Sequence, residues 1–525
     1  MKFFSIAGPV NPEKHYCLPL TKRLNEKELH ALIKKEEYFV LHAPRQTGKT
    51  STILNFARQL NEEGKYTALY VNVESAQAAR SDYIKGMATI LEQFFTCIKD
   101  QLPQEDHIID YLSQLLYREN FTGSSLNSML SEWSKNSSKP IVLFVDEIDS
   151  LVGDTLISVL RQLRTGYTNR PHGFPQSLCL IGVRDVRDYM IWSDIEQKSI
   201  LGGSAFNIKA KSLILSDFTH EQTKDLLLQH TQETGQNFTD EAIDYVFEQT
   251  QGQPWLTNAL AYQACFEDVT DYSVTITKEI LERARETLIK RQDTHLDVLI
   301  NRLNEPRVCA VIDAIINGDS DRPSANDDDF KYVADLGLIK ISPTNMWISN
   351  PIYKEILPRA LSDKFQKYMG GRSLDYIQPD GTLNMHKLMG KFSDFFRQNA
   401  DIWLEESNYI ESGPHLIFFA FLQRIINGGG TIHREYALGR GRVDLLITWP
   451  SPLGYTQRIV IELKLWKGPK ALEEGLEQTA GYMDISNATE GHLVIFDRRP
   501  GRSWDEKVYH RVETFGKKTM YVWGM

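Results

Sequence analysis

The sequence predicts a multidomain α/β chain. A helix-covered parallel sheet comes first, then a helical segment, then a small winged-helix-like module, then a second α/β domain. Three observations carry this reading. Short apolar runs alternate with helical patterns through the first 215 residues, as in a parallel sheet buried on both faces. The loop Ala43-Pro-Arg-Gln-Thr-Gly-Lys-Thr50 joins one such run to a helix. The last 140 residues read helix, three strands, helix, strand, which is a sheet with helices of its own.

Length agrees: 525 residues exceed one core and suggest roughly three to four domains. Hydrophobic residues at 42 % and charged residues at 24 % exclude disordered, collagen-like and coiled-coil chains. No apolar run approaches the ~20 residues that span a bilayer. The start, MKFFSIAGPVNP, lacks the apolar core of a signal peptide. Five cysteines at 17, 97, 179, 265 and 309, with no CxxC pair, support neither a disulfide framework nor a zinc ribbon. A cytoplasmic, reducing environment is expected. The net charge of −10 argues against a basic nucleic-acid coat. Residues 386–525 hold 18 Lys and Arg against 17 Asp and Glu, while the first 385 hold 41 against 52. A near-neutral tail on an acidic body tolerates a phosphate-binding groove in that tail.

The elements follow in order. Residues 37–42 read as a buried strand, and the helix after Thr50 carries Ile53, Ala57 and Leu60 on one face with Gly64 as its stop. Residues 66–73, 141–145, 177–183 and 206–215 read as four more strands, with helices filling most of 81–136. From Thr219 to Arg291 the pattern is helical, interrupted at Gly252-Gln-Pro-Trp255. Two or three short helices and a small hairpin around Pro343 follow, the outline of a winged helix. Gly370-Gly371 and Pro379-Asp-Gly381 mark a linker. The tail reads as a helix over 386–426, strands at 431–438, 442–449 and 458–466, a helix over 470–485 and a strand at 492–496. The expected domains are 1–215, 216–294, 295–364, a linker 365–385, and 386–525.

The loop between strand and helix suits a phosphate. Backbone N–H groups at a helix start point at an anion where the dipole is positive. Lys49 would neutralise β- and γ-phosphates, and the Thr50 hydroxyl would ligate Mg²⁺. Ala43 replaces the usual first glycine, and Pro44 restricts it to extended conformations. At the end of an apolar strand, Asp146 suits a water-mediated Mg²⁺ partner and Glu147 can polarise the attacking water.

With these features, residues 10–290 resemble the AAA+ and archaeal-type ATPases, particularly the AAA-like ATPases that carry an APRQTGKTS loop. The resemblance implies ATP held by Ala43, Pro44, Arg45, Gln46, Thr47, Gly48, Lys49, Thr50 and Ser51 with Asp146. It makes Gly252-Gln-Pro-Trp255 a GxP lid element of the STAND and origin-recognition type, and it places Arg184 in the sensor-1 region. It also implies a homo-oligomer with an arginine finger, for which Arg164 and Arg170 are the candidates; either is otherwise a surface side chain. A sensor-2 arginine is not visible near Pro254.

The segment 326–336 would lie at the recognition helix of the middle module. Asp327, Asp328, Asp329 and Asp335 against Lys331 repel phosphate, which favours a packing or relay role over DNA docking.

In the tail, Asp444 begins one strand, and Glu462 and Lys464 lie two apart near the end of the next. Residues i and i+2 share a strand face, and an antiparallel hairpin would bring Asp444 to Glu462. Two carboxylates can hold Mg²⁺ or Mn²⁺, which lowers the pKa of bound water and stabilises phosphate charge. The alternative is an exposed face of ordinary charges. Residues 405–500 resemble the PD-(D/E)xK nuclease superfamily in the form fused to ATPases, through GRxD, ExK and Gln478-x3-Tyr482. The resemblance implies that Asp444, Glu462, Lys464 and Gln478 are catalytic, with Glu411 as a further metal ligand or Glu435 in its place, unless these are solvated. Arg440 and Arg442, and after them Arg498 and Arg499, are candidate phosphate contacts. The aromatics at Phe395-Phe396 and 417–421 have core spacing.

The resulting expectation is a nucleotide-controlled, metal-dependent nuclease acting on nucleic acid, DNA in preference to RNA, with defence against foreign DNA as a setting. The alternative is a STAND-like switch whose tail binds nucleic acid or a partner without cutting. An ATP-driven translocase would need a basic or aromatic pore loop, which is not evident.

Overall fold

The computed structural model describes the chain apart from residues 103, 118–121, 123, 196, 292–293, 317–327, 344, 358–375, 407–414, 416–417, 420, 423–429, 439–440, 453, 467, 498 and 500. Two compact units result: Met1–Gln292 with Ser324–Ile341 and Ser349–Ile352, and Asp293–Pro323 with Ser342–Ile348 and Tyr353–Met525.

The first unit is built on β1 (Tyr38–His42), β2 (Thr67–Asn72), β3 (Ile141–Asp146), β4 (Ser177–Gly182) and β7 (Lys209–Ile214). Their order is β2-β3-β4-β1-β7, and all pairs are parallel. Alternate residues serve opposite faces, as strand geometry requires. Tyr38, Val40, Leu69, Val71, Leu143 and Val145 enter one core. Phe39, Leu41, Ala68, Tyr70, Val142 and Phe144 enter the other. The helix Lys49–Glu63 follows Gly48 and stops at left-handed Gly64. Helices His220–Thr234, Asp240–Thr250, Pro254–Tyr262 and Lys278–Arg291 form the expected helical segment.

Two results differ from the sequence reading. A hairpin of β5 (Met190–Ser193) and β6 (Lys198–Leu201) is inserted between β4 and β7. Its turn is tied down by Asp154, whose carboxylate accepts from the amides of Asp194 (2.9 Å) and Ile195 (3.1 Å). The middle module drawn as 295–364 is split between the units. Its acidic helix, Asp328–Asp335, and β8 (Ile339–Ile341) belong to the first unit, whereas β9 (Met346–Ile348) belongs to the second. Asp335 pairs with Arg184, Lys331 with Asp188 and Lys340 with Asp217.

The second unit holds a mixed six-stranded sheet. Its strands are β10 (Thr431–Leu438), β11 (Gly441–Pro450), β12 (Thr456–Leu465), β13 (Glu490–Phe496), β14 (Tyr509–Phe515) and β15 (Lys518–Gly524), in the order β10-β11-β12-β13-β15-β14. β10-β11-β12 is an antiparallel meander, and β12 and β13 are parallel. The helix Pro469–Ser486 makes that crossover and packs Ala480 and Met483 on Val460 and Leu446. Helix Met385–Glu406 brings Phe396 against Phe496 of β13. Phe392 meets Phe418 and Phe421, which makes these aromatics core. The sequence reading missed β14, whose charged, exposed residues break the apolar pattern, and β15, which is largely buried.

Candidate functional sites: a P-loop and a buried carboxylate pair

The loop after β1 begins where the Ala43 N–H donates to the Gly182 carbonyl of β4 (3.3 Å). Gln46 and Gly48 take left-handed backbone angles, φ +59° and +89°, which glycine adopts without strain. Lys49 opens the helix and is buried. A buried ammonium needs partners, and its Nζ donates to the carbonyls of Ala43 (2.7 Å) and Pro44 (2.9 Å). Burial pushes its pKa down, while Glu147 and Asp146 pull the other way. Thr47 Oγ1 donates to Pro44 O (2.9 Å). Ser51 Oγ accepts from the Val10 amide (2.8 Å), so the N-terminal segment lies at the start of the loop's helix. Arg45 and Gln46 are exposed at the loop tip.

Asp146 ends β3 with no exposed surface. Its Oδ2 accepts from Thr50 Oγ1 and from Tyr70 OH, each at 2.7 Å. Its Oδ1 accepts from the Glu147 amide (2.8 Å). Glu147 is left-handed, φ +55°, an uncommon state for a residue with a side chain. Its Oε2 is buried with no hydrogen-bond partner. Burial first, then Asp149 and Asp146, raise its pKa. An orphaned carboxylate oxygen beside Lys49, Thr50 and Asp146 fits a site for a metal-bound phosphate and a polarised water.

The lid element reaches the same loop. A Cβ on Gly252 would lie 1.9 Å from the Phe218 carbonyl, and φ is +75°. Phe218 donates its amide to the Gly252 carbonyl (2.7 Å). The Arg23 guanidinium lies 4.6 Å over the Phe218 ring and donates to the Thr47 carbonyl (2.8 Å). Burial lowers the Arg23 pKa to about 10. Lid and loop therefore share one bonded path. Trp255 Nε1 donates to the Ile6 carbonyl (2.8 Å).

The remaining arginines separate. Arg184 is bonded to Asp335 (2.8 Å). Arg170 donates to the Glu36 and Tyr167 carbonyls and stacks on the Tyr167 ring at 3.3 Å. Its guanidinium is taken up by these partners within its own chain. Arg164 is exposed and donates to Ser204 O (3.0 Å).

In the second unit the hairpin does bring the tail residues together. The β11–β12 register pairs Leu445 with Ile461, which puts Asp444 opposite Glu462. Asp444 Oδ2 accepts from the Leu463 amide (2.8 Å). Lys464 Nζ donates to Glu462 Oε1 (2.8 Å). Glu462 is only 3 % exposed, and its Oε2 is buried without a hydrogen-bond partner among the described residues. Burial and then Asp444 push its pKa up to about 7, against the pull of Lys464. The Lys464 pKa is raised by Glu462 and Asp444, against burial, with Tyr482 a smaller contributor.

Gln478 does not join them: it is exposed on Pro469–Ser486 and bonds to none of the three among the described residues. A helix turns about 100° per residue, so the sheet-facing stripe takes Thr479, Ala480 and Met483 and leaves Gln478 to solvent. Glu411, Arg440 and Arg498 lie outside the described residues, and Glu435 and Arg442 are described only as strand backbone. Arg499 is taken up by Asp497 (2.9 Å) and lies 5.0 Å over the Trp466 ring. Among the described residues no group of three or more His, Cys, Asp or Glu clusters for a metal. Among the described residues the site holds two carboxylates and an amine.

Sequence reasoning missed Tyr70, Arg23 and the use of Asp335. Tyr70 carries a signal only once β2 is known to neighbour β3, since Asn72 is then in register with Asp146. Arg23 and Asp335 come from distant segments and carry none.

The profile of the AAA-like domain family matches residues 12–358. A domain of unknown function (DUF8371) matches residues 387–499. An uncharacterized ATP-binding protein of Methanocaldococcus jannaschii is 23 % identical over 282 residues, 47 % of this chain and 72 % of the relative. A Walker-type ATPase of Pyrococcus abyssi is 14 % identical, TM-score 0.47, over 67 % of this chain and 99 % of that one. Cdc6p of Pyrobaculum aerophilum is 14 % identical, TM-score 0.36, over 65 % and 96 %. No helix among the described residues is long and apolar enough to cross a membrane. The family match covers well over half of the chain and takes in the loop, the acidic pair and the lid: the chain belongs to the AAA-like domain family, and its first unit carries a P-loop ATPase domain.

Proposed function

We propose that the first unit binds and hydrolyses ATP with Mg²⁺, and that the C-terminal sheet domain is a metal-dependent PD-(D/E)xK-type nuclease governed by nucleotide state. The observation that carries the nuclease reading is the meeting of Asp444, Glu462 and Lys464, with a buried carboxylate oxygen left unpaired. Unpaired buried oxygens cost free energy unless something binds them. The meander, crossover helix and parallel strand suit the same superfamily.

In the first unit, Thr50 and Asp146 would hold Mg²⁺, Lys49 would exchange its two carbonyl partners for phosphate oxygens, and Glu147 would accept a proton from the attacking water. Arg184 would meet the γ-phosphate. In the second unit, Asp444 and Glu462 would hold Mg²⁺ or Mn²⁺, which supplies an acidified water and charge stabilisation at the scissile phosphate. Lys464 orients that water, and Glu462 fixes the lysine by their hydrogen bond. DNA is the proposed polymer, and self-association through the ATPase domain, with Arg164 at the interface, is proposed with it.

The test is cleavage of single- and double-stranded DNA and RNA with Mg²⁺ or Mn²⁺, with and without ATP. Asp444→Ala should abolish cleavage and leave ATP turnover intact. Equal cleavage by wild type and variant would refute the assignment, as would no cleavage of any polymer by the wild type.

A further inference from the structure

The helix Asp328–Asp335 docks on the P-loop unit through a half-buried charge pair. Arg184 Nε donates to Asp335 Oδ2 at 2.8 Å, with the side chains 12 % and 18 % exposed. The guanidinium also lies 5.2 Å over the Tyr332 ring of that helix. The two outer anchors, Lys331 to Asp188 and Lys340 to Asp217, are more exposed pairs of the kind that contribute little. An eight-residue helix is marginal by itself, so its place depends on this docking.

The pair sits beside the phosphate loop. Arg184 lies two residues past Gly182, whose carbonyl accepts from Ala43 at the loop start. The Val183 amide donates to Asp149 (3.2 Å), three residues past Asp146. The turn that follows the docked helix touches the loop itself: a Cβ on Gly337 would lie 2.7 Å from Pro44 Cβ. Among the described residues the Arg184 guanidinium pairs with one carboxylate, that of Asp335.

We propose that Asp335 is a positioning residue that holds Arg184 when no γ-phosphate is present, so that ATP but not ADP must take the guanidinium from it, and that the helix Asp328–Asp335 is released as the triphosphate binds. The proposal rests on the reading that Arg184 faces the γ-phosphate, and it adds how the nucleotide state leaves that site. A diphosphate lacks the competing anion and leaves the pair closed. Arg184 and Asp335 would then set the discrimination between the two nucleotides.

The test measures ATP and ADP affinity by fluorescence, without turnover, in the full chain. Asp335→Asn, which keeps the shape and removes the charge, should tighten ATP about tenfold and leave ADP unchanged. Arg184→Ala should weaken ATP alone, and adding Asp335→Asn to it should then change nothing. If Arg184→Ala leaves ATP affinity unchanged, the γ-phosphate reading of Arg184 fails. If Arg184→Ala weakens ATP while Asp335→Asn shifts neither nucleotide, or both equally, only the Asp335 proposal fails. Hydrogen exchange on the unmutated chain gives an independent readout. Amides of 328–335 should stay protected with ADP and exchange faster with a non-hydrolysable ATP analogue; equal protection in both states overturns the release.

Discussion

Replacing Glu462 by glutamine should make the chain's stability less sensitive to pH, by an amount the site itself fixes. Burial and Asp444 hold the Glu462 carboxyl at about 7 in the folded protein, against 4.5 for a free glutamate. At ~1.4 kcal/mol per pKa unit this corresponds to about 3 kcal/mol. The native state binds the proton more tightly than the unfolded chain, so stability is full below about pH 4.5 and falls as pH rises through about 7. Glutamine cannot ionise, yet it keeps an oxygen to accept from Lys464. The assay is urea unfolding in chelator, wild type and Glu462→Gln side by side, from pH 4.5 to 8. The variant should gain about 3 kcal/mol relative to wild type across that range. A difference that stays flat, or that moves in favour of the wild type with rising pH, would refute a buried, proton-binding Glu462.

Three further outcomes follow from the first unit. Lys49→Ala should weaken ATP binding about a hundredfold, because it removes the one buried cation of the loop; a fluorescent-nucleotide titration checks this. Glu147→Gln should keep ATP affinity and lose turnover, since an amide cannot accept the water's proton; phosphate release against binding separates the two. Gly252→Ala should destabilise the unit by at least ~1–2 kcal/mol from its left-handed backbone alone, with more from the Phe218 carbonyl in the way. It should also weaken nucleotide binding through the Phe218–Arg23–Thr47 path. Thermal unfolding with and without ATP reads both effects.

The Arg23 contact ties the Gly252-Gln-Pro-Trp255 element to the phosphate loop. The Gly252 carbonyl accepts from the Phe218 amide, the Arg23 guanidinium lies over the Phe218 ring, and Arg23 holds the Thr47 carbonyl. This path runs opposite in sense to the Arg184–Asp335 pair, which leads from the end of β4 to the acidic helix. One links the Gly252 turn to the loop; the other is proposed to carry nucleotide state away from it.

Sequence alone determined the elements whose causes are local. Apolar runs set β1, β2, β3 and β4, because a two-sided buried strand needs no distant information to be recognised. Gly48, Gly64 and Gly252 marked turns because their backbone angles are closed to other residues at low cost. Residues two apart on one strand gave the shared face of Glu462 and Lys464. Tertiary structure decided whatever depends on which segments become neighbours. The β11–β12 register set Asp444 against Glu462, and burial then raised the Glu462 pKa. Tyr70 reached Asp146 only through the pairing of β2 with β3. The strand β14 was hidden by its exposed charges, and Gln478 turned outward by its angle on the helix. Asp335, read as a charge that repels DNA, became the partner of Arg184 from 151 residues away. Spacing in a sequence reports on local geometry; burial and long-range charge pairing exist only after the chain has closed on itself.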